Sequence, residues 1–322
     1  MLYNVLEKLA SKLEIKGLPL VILFVVSYVT VLLSLKFFSR ILPKDQGREF
    51  AVNGSLSEGK ARGAGLIFVT CFVFVTALFI PLSLELVLYL ALIYLAMLSG
   101  YFDDAAEKPW GNLKKGLIDL VVSGGIAGVY YYYNSSRITL GMSGLSFKLN
   151  PVLFIALATL LVWASINVTN CTDGVDGLCA SLCMASIFFL SRLLLSTTMM
   201  SICMVMLATL AGYLWFNCSP STILMGDAGS RALGVFLALL ALKTGSPFAF
   251  IPLAIVLIVD GGMGLIKVSF IRFLKLKNFM KNVRTPIHDH VRKNKGWSDT
   301  QVVIRFVIVQ LVVGACYYLL CD

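Results

Sequence analysis

The side chains able to do chemistry in this sequence are few, and they are grouped. The 322 residues hold 17 Asp+Glu and two His. Asp103 and Asp104 adjoin in "SGYFDDAAEKPWGNLKK", and Asn167, Asn170, Asp173 and Asp176 recur every third residue in "NVTNCTDGVDGL". Asp227 stands in "LMGDAGSRALG" and Asp260 in "IVLIVDGGMG". Both imidazoles, His288 and His290, flank Asp289 in the basic stretch "TPIHDHVRKNKGW". Neighbouring carboxylates repel unless a cation lies between them. Hard carboxylate oxygens without thiolates, and with histidine only elsewhere, suit Mg²⁺ better than zinc. Gly226, Gly229 and Ser230 around Asp227 can present backbone N–H groups at a helix start, a natural phosphate site. The Asn–Asp series either drifts round one helical face or, through Gly174 and Gly177, forms a tight turn close to a ligand. Helix capping is the plain alternative for Asp176 and Asp227. It does not serve Asp103 and Asp104, which fall at a helix C-terminus, where the macrodipole disfavours anions.

The elements that must position these groups are apolar. The chain is 58% hydrophobic and 14% charged, with mean hydropathy +0.87; a soluble domain carries about 25% charged residues. Apolar runs of about 17–22 residues are long enough to cross a bilayer, where the backbone must satisfy itself. The chain therefore reads as an all-α integral membrane protein. Ten spans are predicted, at 18–38, 63–81, 83–100, 116–133, 150–168, 177–195, 199–216, 230–244, 247–268 and 302–320. With no linker or soluble domain between them, 1–322 reads as a single polytopic membrane domain. The run Leu18–Phe38 is too long for a signal-peptide core and lacks a small-residue cleavage site, so it reads as a retained helix. Leu2, Leu6, Leu9 and Leu13 share one helical face, which suggests a helix over 1–17 lying on the membrane surface, a frayed terminus being the alternative. The eight scattered cysteines lack zinc spacing and read as buried apolar thiols.

Of the 27 Lys+Arg, 19 fall in or beside the odd-numbered connections, eight of them in a basic loop over 269–301. Positive residues stay cytoplasmic, so these connections are expected to face the cytoplasm. The run Tyr130–Tyr133 then meets the opposite interface, where an aromatic belt is expected. The carboxylate clusters fall on the cytoplasmic side too. Asp260 lies within span nine, where a carboxylate is costly and functional by default, and Gly261, Gly262 and Gly264 after it can bend or break the helix. The net charge of +10 favours anionic lipid head groups and an anionic soluble substrate. Nucleic acid is excluded as a partner, since no binding module or separate basic domain exists. The residues together predict a cytoplasm-facing Mg²⁺ site for phosphate chemistry on a diphosphate substrate, with a membrane lipid as second reactant.

Three motifs, "GYFDD" (Gly100–Asp104), "NVTNCTDGVDGL" (Asn167–Leu178) and "GDAGSRALG" (Gly226–Gly234), resemble in order and placement the polyprenyl-phosphate N-acetylhexosamine-1-phosphate transferase superfamily. "TPIHDHVRKNKGWSDTQVVIRF" (Thr285–Phe306) is similar to the last cytoplasmic loop of the bacterial phospho-N-acetylmuramoyl-pentapeptide transferases. The resemblance implies attack of undecaprenyl phosphate on UDP-N-acetylmuramoyl-pentapeptide, giving lipid I and UMP in peptidoglycan synthesis at the bacterial cell membrane. It implies Asp227 as the Mg²⁺ ligand, with Asp103 and Asp104 beside the metal and Asp103 deprotonating or orienting the lipid phosphate. Asn170, Asp173 and Asp176 would bind nucleotide and position the sugar diphosphate, and Lys115 would lie near the uridine. Asp260 resembles an acidic position in span nine. Direct attack is favoured over an aspartyl-phosphate route. The sequence leaves a homodimer open.

The chain departs from the family pattern in three places. "GKARGAG" (Gly59–Gly65) keeps mainly the glycines of the loop before span two and adds Lys60 and Arg62. Leu224 replaces an aromatic residue set against uracil, and His288-Asp289-His290 replaces three histidines. On a helix His288 and His290 would diverge by about 200°, whereas an extended segment, which Pro286 favours at Thr285, would let them share a face. His288, with His290 secondary, is expected to offer imidazole donors to the substrate diphosphate. Two rivals stand. One is a sister enzyme using UDP-N-acetylglucosamine for teichoic acid or O-antigen precursors, which the final loop argues against. The other is a transporter built on Asp260 and a broken span nine, which the one-sided placement of the acids disfavours.

Overall fold

Apolar runs this long can only close their backbone hydrogen bonds internally, and helices form wherever they occur. The computed structural model describes residues 17–47, 57–108, 110–141, 144–276 and 278–321; the surface helix expected over 1–17 lies, Gly17 apart, outside them. The helices are α1 (Leu18–Phe38), α2 (Gly65–Phe79), α3 (Leu84–Asp104), α4 (Asn112–Asn134), α5 (Pro151–Thr172) and α6 (Leu178–Arg192). They continue with α7 (Thr197–Asn217), α8 (Gly226–Lys243), α9 (Phe250–Leu253), α10 (Ile255–Phe273), α11 (Ile287–Lys295) and α12 (Asp299–Cys321). A helix lies over each predicted stretch, the ninth being the α9–α10 pair. By length and apolarity, five helices among the described residues can cross a membrane, α1, α3, α5, α7 and α12, or six with the bent pair α9–α10 counted as one span. α2 and α6 are shorter apolar helices. Starts are marked by local chemistry: the Ser83 hydroxyl accepts from Leu86 N–H at α3, and Asn150 from Val152 N–H at α5, with Pro151 in the first turn.

α8 is the centre of the bundle. Every residue from Gly226 to Leu242 is buried, with α2, α3 and α5 packed around it. A helix buried on all sides needs no solvent stripe, which is why its sequence reads as a short span. It begins at Gly226 rather than at the predicted 230, because Asp227 and Arg231 are paired inside the protein rather than exposed. Two short ladders tie the ends of the bundle. β1 (Ala61–Arg62) runs parallel to β4 (Ile223–Leu224), joining the approach to α2 to the approach to α8. β2 (Arg137–Thr139) pairs antiparallel with β3 (Ser146–Lys148) at the other end. Because successive helices alternate in direction, the ends of α3, α5 and α7 meet the starts of α4 and α8.

Two expectations are corrected. The stretch 269–301 is not all loop, since α11 occupies Ile287–Lys295. The glycines after Asp260 do not break their helix either. α10 runs through them, and Gly261 instead permits contact with α5, because a Cβ there would overlap the backbone of Val168. The break falls at Ala254, where α9 and α10 meet at 89°. The buried Gln310 of α12 spans it. Its carboxamide oxygen accepts from Val256 N–H (3.0 Å) and its amide donates to Pro252 C=O (3.2 Å). Gln310→Leu removes both bonds at constant bulk and leaves two buried backbone groups unsatisfied, at about 1–3 kcal/mol each. Thermal denaturation in detergent is expected to show a midpoint several degrees lower, with Gln310→Glu intermediate.

Candidate active site

The site is built at the bundle end where α3 stops and α4 and α8 start. Gly100 brings the α3 backbone against α8 so closely that a Cβ would overlap the backbone of Asp227. Gly226, at φ +67°, turns the chain into α8 with Asp104 against it, a backbone region glycine enters without penalty. The two adjacent carboxylates therefore face different partners. Asp104 is fully buried, accepting from Arg62 Nε (2.9 Å) and from Ala228 N–H (3.2 Å). Asp103 accepts from Trp110 N–H (2.7 Å) and pairs with Lys115. The repulsion anticipated from their adjacency is relieved by separate cations, Arg62 for Asp104 and Lys115 for Asp103, with Arg231 a further 3.9 Å neighbour of Asp103.

Asp227 is the junction. Its carboxylate lies 3.5 Å from Lys115, 3.4 Å from Arg231 and 4.0 Å from Arg62, and its side chain keeps 12% exposure. Arg231 is buried and continues the network to Asp119 at 3.0 Å. Arg62 also reaches Asp45 at 3.0 Å. Burial opposes the charge of Arg62, but Asp104, Asp227 and Asp45 outweigh it and hold the guanidinium above its ordinary value. Sequence reasoning missed Arg231 and Asp119. The four-residue spacing of Asp227 and Arg231 on one helix face was the available signal; for Asp119 it was a carboxylate inside the predicted span 116–133, the same signal that marked Asp260.

The Asn–Asp series resolves into both forms that spacing allowed. Asn167 and Asn170 lie on the last turns of α5, and Asp173 to Gly177 form a turn ending with Gly177 at φ +81°. Asn170 donates to Ser230 at 2.9 Å beside Asp227, while Asn167 only bonds back to Trp163 C=O. Asp176 accepts from Ser221 N–H (3.0 Å) and lies 3.5 Å from Lys60. Asp173 and Asp176 line a cleft of about 390 Å³ together with Lys60, Arg62 and His288.

α11 closes one wall of that cleft and separates the two histidines. His288 is buried: its N–H donates to Asp260 Oδ1 (2.7 Å), and its Nδ1 meets Asp260 Oδ2 (2.8 Å). Its Nε2 points at the turn, so near Gly174 that a Cβ there would overlap it. His290 turns away and accepts from Arg284 N–H; it is not among the residues lining the cleft. The shared face that an extended segment would give does not occur, because residues 287–295 are helical. Asp260 likewise lies behind His288, with 1% exposure, rather than on the cleft.

Arg231 lies within 3.9 Å of three carboxylates, Asp103, Asp119 and Asp227, so Arg231→Ala leaves uncompensated buried charge, worth about 3–5 kcal/mol. Loss of folded protein in size-exclusion and thermal assays is expected, with part of the stability returning in Arg231→Ala/Asp119→Ala.

The "Glycosyl transferase family 4" model matches residues 86–245, the stretch from α3 through α8. A curated phospho-N-acetylmuramoyl-pentapeptide-transferase of Treponema pallidum (strain Nichols) is 39% identical over 295 residues, covering 84% of this chain and 80% of the relative. Proteins of the same name from Wolinella succinogenes and a Wolbachia of Drosophila simulans are 28% and 26% identical, over 82% and 77% of this chain and 82% and 80% of their own lengths. By these likenesses the chain belongs to the phospho-N-acetylmuramoyl-pentapeptide-transferase family.

Proposed function

We propose that this chain, as a single membrane unit, transfers phospho-N-acetylmuramoyl-pentapeptide from its UDP-linked precursor to undecaprenyl phosphate, giving lipid I and UMP. The observation that carries this reading is the convergence of Asp103, Asp104 and Asp227 with Lys115, Arg62 and Arg231 at one end of the bundle, beside a cleft lined by further polar residues. The one-sided charge of the sequence favours the cytoplasmic face of a bacterial inner membrane for that end.

Mg²⁺ fits the donor set. Among the described residues no three carboxylates or imidazoles converge into a ready-made metal cage, but Mg²⁺ commonly takes one or two carboxylates and completes its shell with water and substrate phosphates. Asp227, partly exposed and carrying only oxygen donors, would hold it; the bound ion supplies charge stabilisation on the transferring phosphoryl group. Asp103, next to Lys115, receives or orients the lipid phosphate. Asp104 has both oxygens engaged inside the protein and acts as a positioning residue for Arg62 and the start of α8. Lys115 and Arg62 offset the repulsion between two anionic reactants. Asn170, Asp173 and Asp176 bind the nucleotide-sugar in the cleft. His288 presents Nε2 to the diphosphate while Asp260 holds Nδ1; His290 has no such access. Phosphoryl transfer through a loose transition state needs positioning and charge more than covalent chemistry, which favours direct attack.

The test is purified protein with undecaprenyl phosphate, Mg²⁺ and either UDP-N-acetylmuramoyl-pentapeptide or UDP-N-acetylglucosamine. Lipid I and UMP are expected from the first only; turnover of the second alone would establish the sister activity. Asp227→Asn is expected to lower kcat by at least about 10²-fold with the fold intact. His288→Ala should cut transfer by about 10²-fold or more and Asp289→Ala only a few-fold; equal, negligible losses would remove His288 from the site.

A further inference from the structure

A second cavity, of about 760 Å³, opens at the other end of the bundle, between the starts of α3 and α7 and the ends of α4 and α8. The 21 residues of α3 separate it from Asp104 by about 30 Å, a full membrane thickness. Its floor is a closed polar knot. Lys243 donates to Glu85 (2.5 Å) and Asn134 (3.0 Å), and Glu85 also accepts from Asn134 (2.6 Å) and Tyr89 (3.0 Å). Glu85 is the only carboxylate among the described lining residues; its three bonds all fall on Oε1, and its charge is matched by Lys243.

The rim differs. Arg137 and Lys148 are direct register partners in the β2–β3 ladder, and both line the cavity. Like charges set opposite each other on one face of an antiparallel pair are destabilising. Among the described residues no carboxylate forms an ion pair with either one. Two facing cations without a counter-ion, above a cavity whose single carboxylate is already paired with Lys243, make a receptor for an anion. Thr139, one pleat along the same strand face, adds a hydroxyl. The remaining wall mixes hydroxyls, among them Ser83, Ser196 and Thr198, with the buried Leu86, Met199 and Ile202, and Leu195 stands 99% exposed at its edge. A soluble anion has no use for a leucine left fully exposed beside two cations; an acyl chain does.

We propose that this far-side cavity binds the phosphate head group of an anionic membrane lipid, with Arg137 and Lys148 clasping the phosphate and the acyl chain lying against Leu195. The site is separate from the transferase site and does not rest on the reading of that site.

The full chain in neutral detergent, mixed with phosphatidylglycerol or phosphatidylcholine, would be examined by native mass spectrometry and thermal denaturation. Phosphatidylglycerol is expected to be retained and to raise the melting midpoint, and phosphatidylcholine to do neither. Arg137→Ala/Lys148→Ala should weaken phosphatidylglycerol retention about tenfold or more without lowering the lipid-free midpoint, since it removes a repulsive pair. Lys275→Ala/Lys281→Ala, a charge loss at the opposite face, should keep retention. Equal retention in the two double variants overturns the proposal. So does full displacement of the lipid by millimolar inorganic phosphate, which would make this a site for free phosphate. Should the double variant fail to fold, Lys148→Gln alone carries the same comparison.

Discussion

The start of α8 is held by charge, and the rest of the candidate site depends on that. Asp227, at the first turn of a helix buried on every side, lies within 4.0 Å of Lys115, Arg231 and Arg62. Each of those cations has a second carboxylate: Asp103 for Lys115, Asp119 for Arg231 and Asp104 for Arg62. Removing an ion from water costs several kcal/mol even after relaxation. A chain of alternating signs lets each group be desolvated against its neighbours, and no member stands alone. The same chain locks the end of α3 and the start of α4 to α8, so the groups of the candidate site sit on rigid elements, the arrangement in which a site keeps its geometry.

Backbone contact reinforces this electrostatic lock. Gly100 lets α3 touch α8 at Asp227. The β1–β4 ladder fixes Arg62 in register with Leu224 just before α8 begins. The loop preceding α2 therefore delivers its guanidinium through a hydrogen-bonded strand rather than a free side chain on a loose connection. The cleft opens beyond these contacts, and α11 is fastened to it chiefly through the buried His288–Asp260 pair.

Much of the architecture was legible because lipid leaves so few options. Long apolar runs with capping residues at their starts specify helices, and a helix lies over every predicted stretch. The acidic clusters were legible as a site because carboxylates at a helix C-terminus or at membrane depth have no cheap explanation. What escaped was pairing. Asp119 and Arg231 lie on different helices, and neither carries a local pattern that names the other. The glycines after Asp260 looked like breakers, but Gly261 serves contact with α5, and the real break at Ala254 is supported by a glutamine far along the chain. For His288 and His290, spacing allowed two geometries, and the helical one sends His290 away. Composition cannot choose between them, because the choice is made by Asp260 from another helix.

That distant glutamine bears on how the protein is made. The backbone at Pro252 and Val256 finds its partners only on residue 310, 54 positions after Val256. During synthesis at about 5–20 residues per second, the bent pair leaves the ribosome seconds before α12 exists. In hydrocarbon an open backbone break is too costly to persist alone, so the bend closes only after α12 has been made. The last helix, the least buried of the membrane-crossing candidates, is then the piece whose insertion completes a membrane segment synthesised before it.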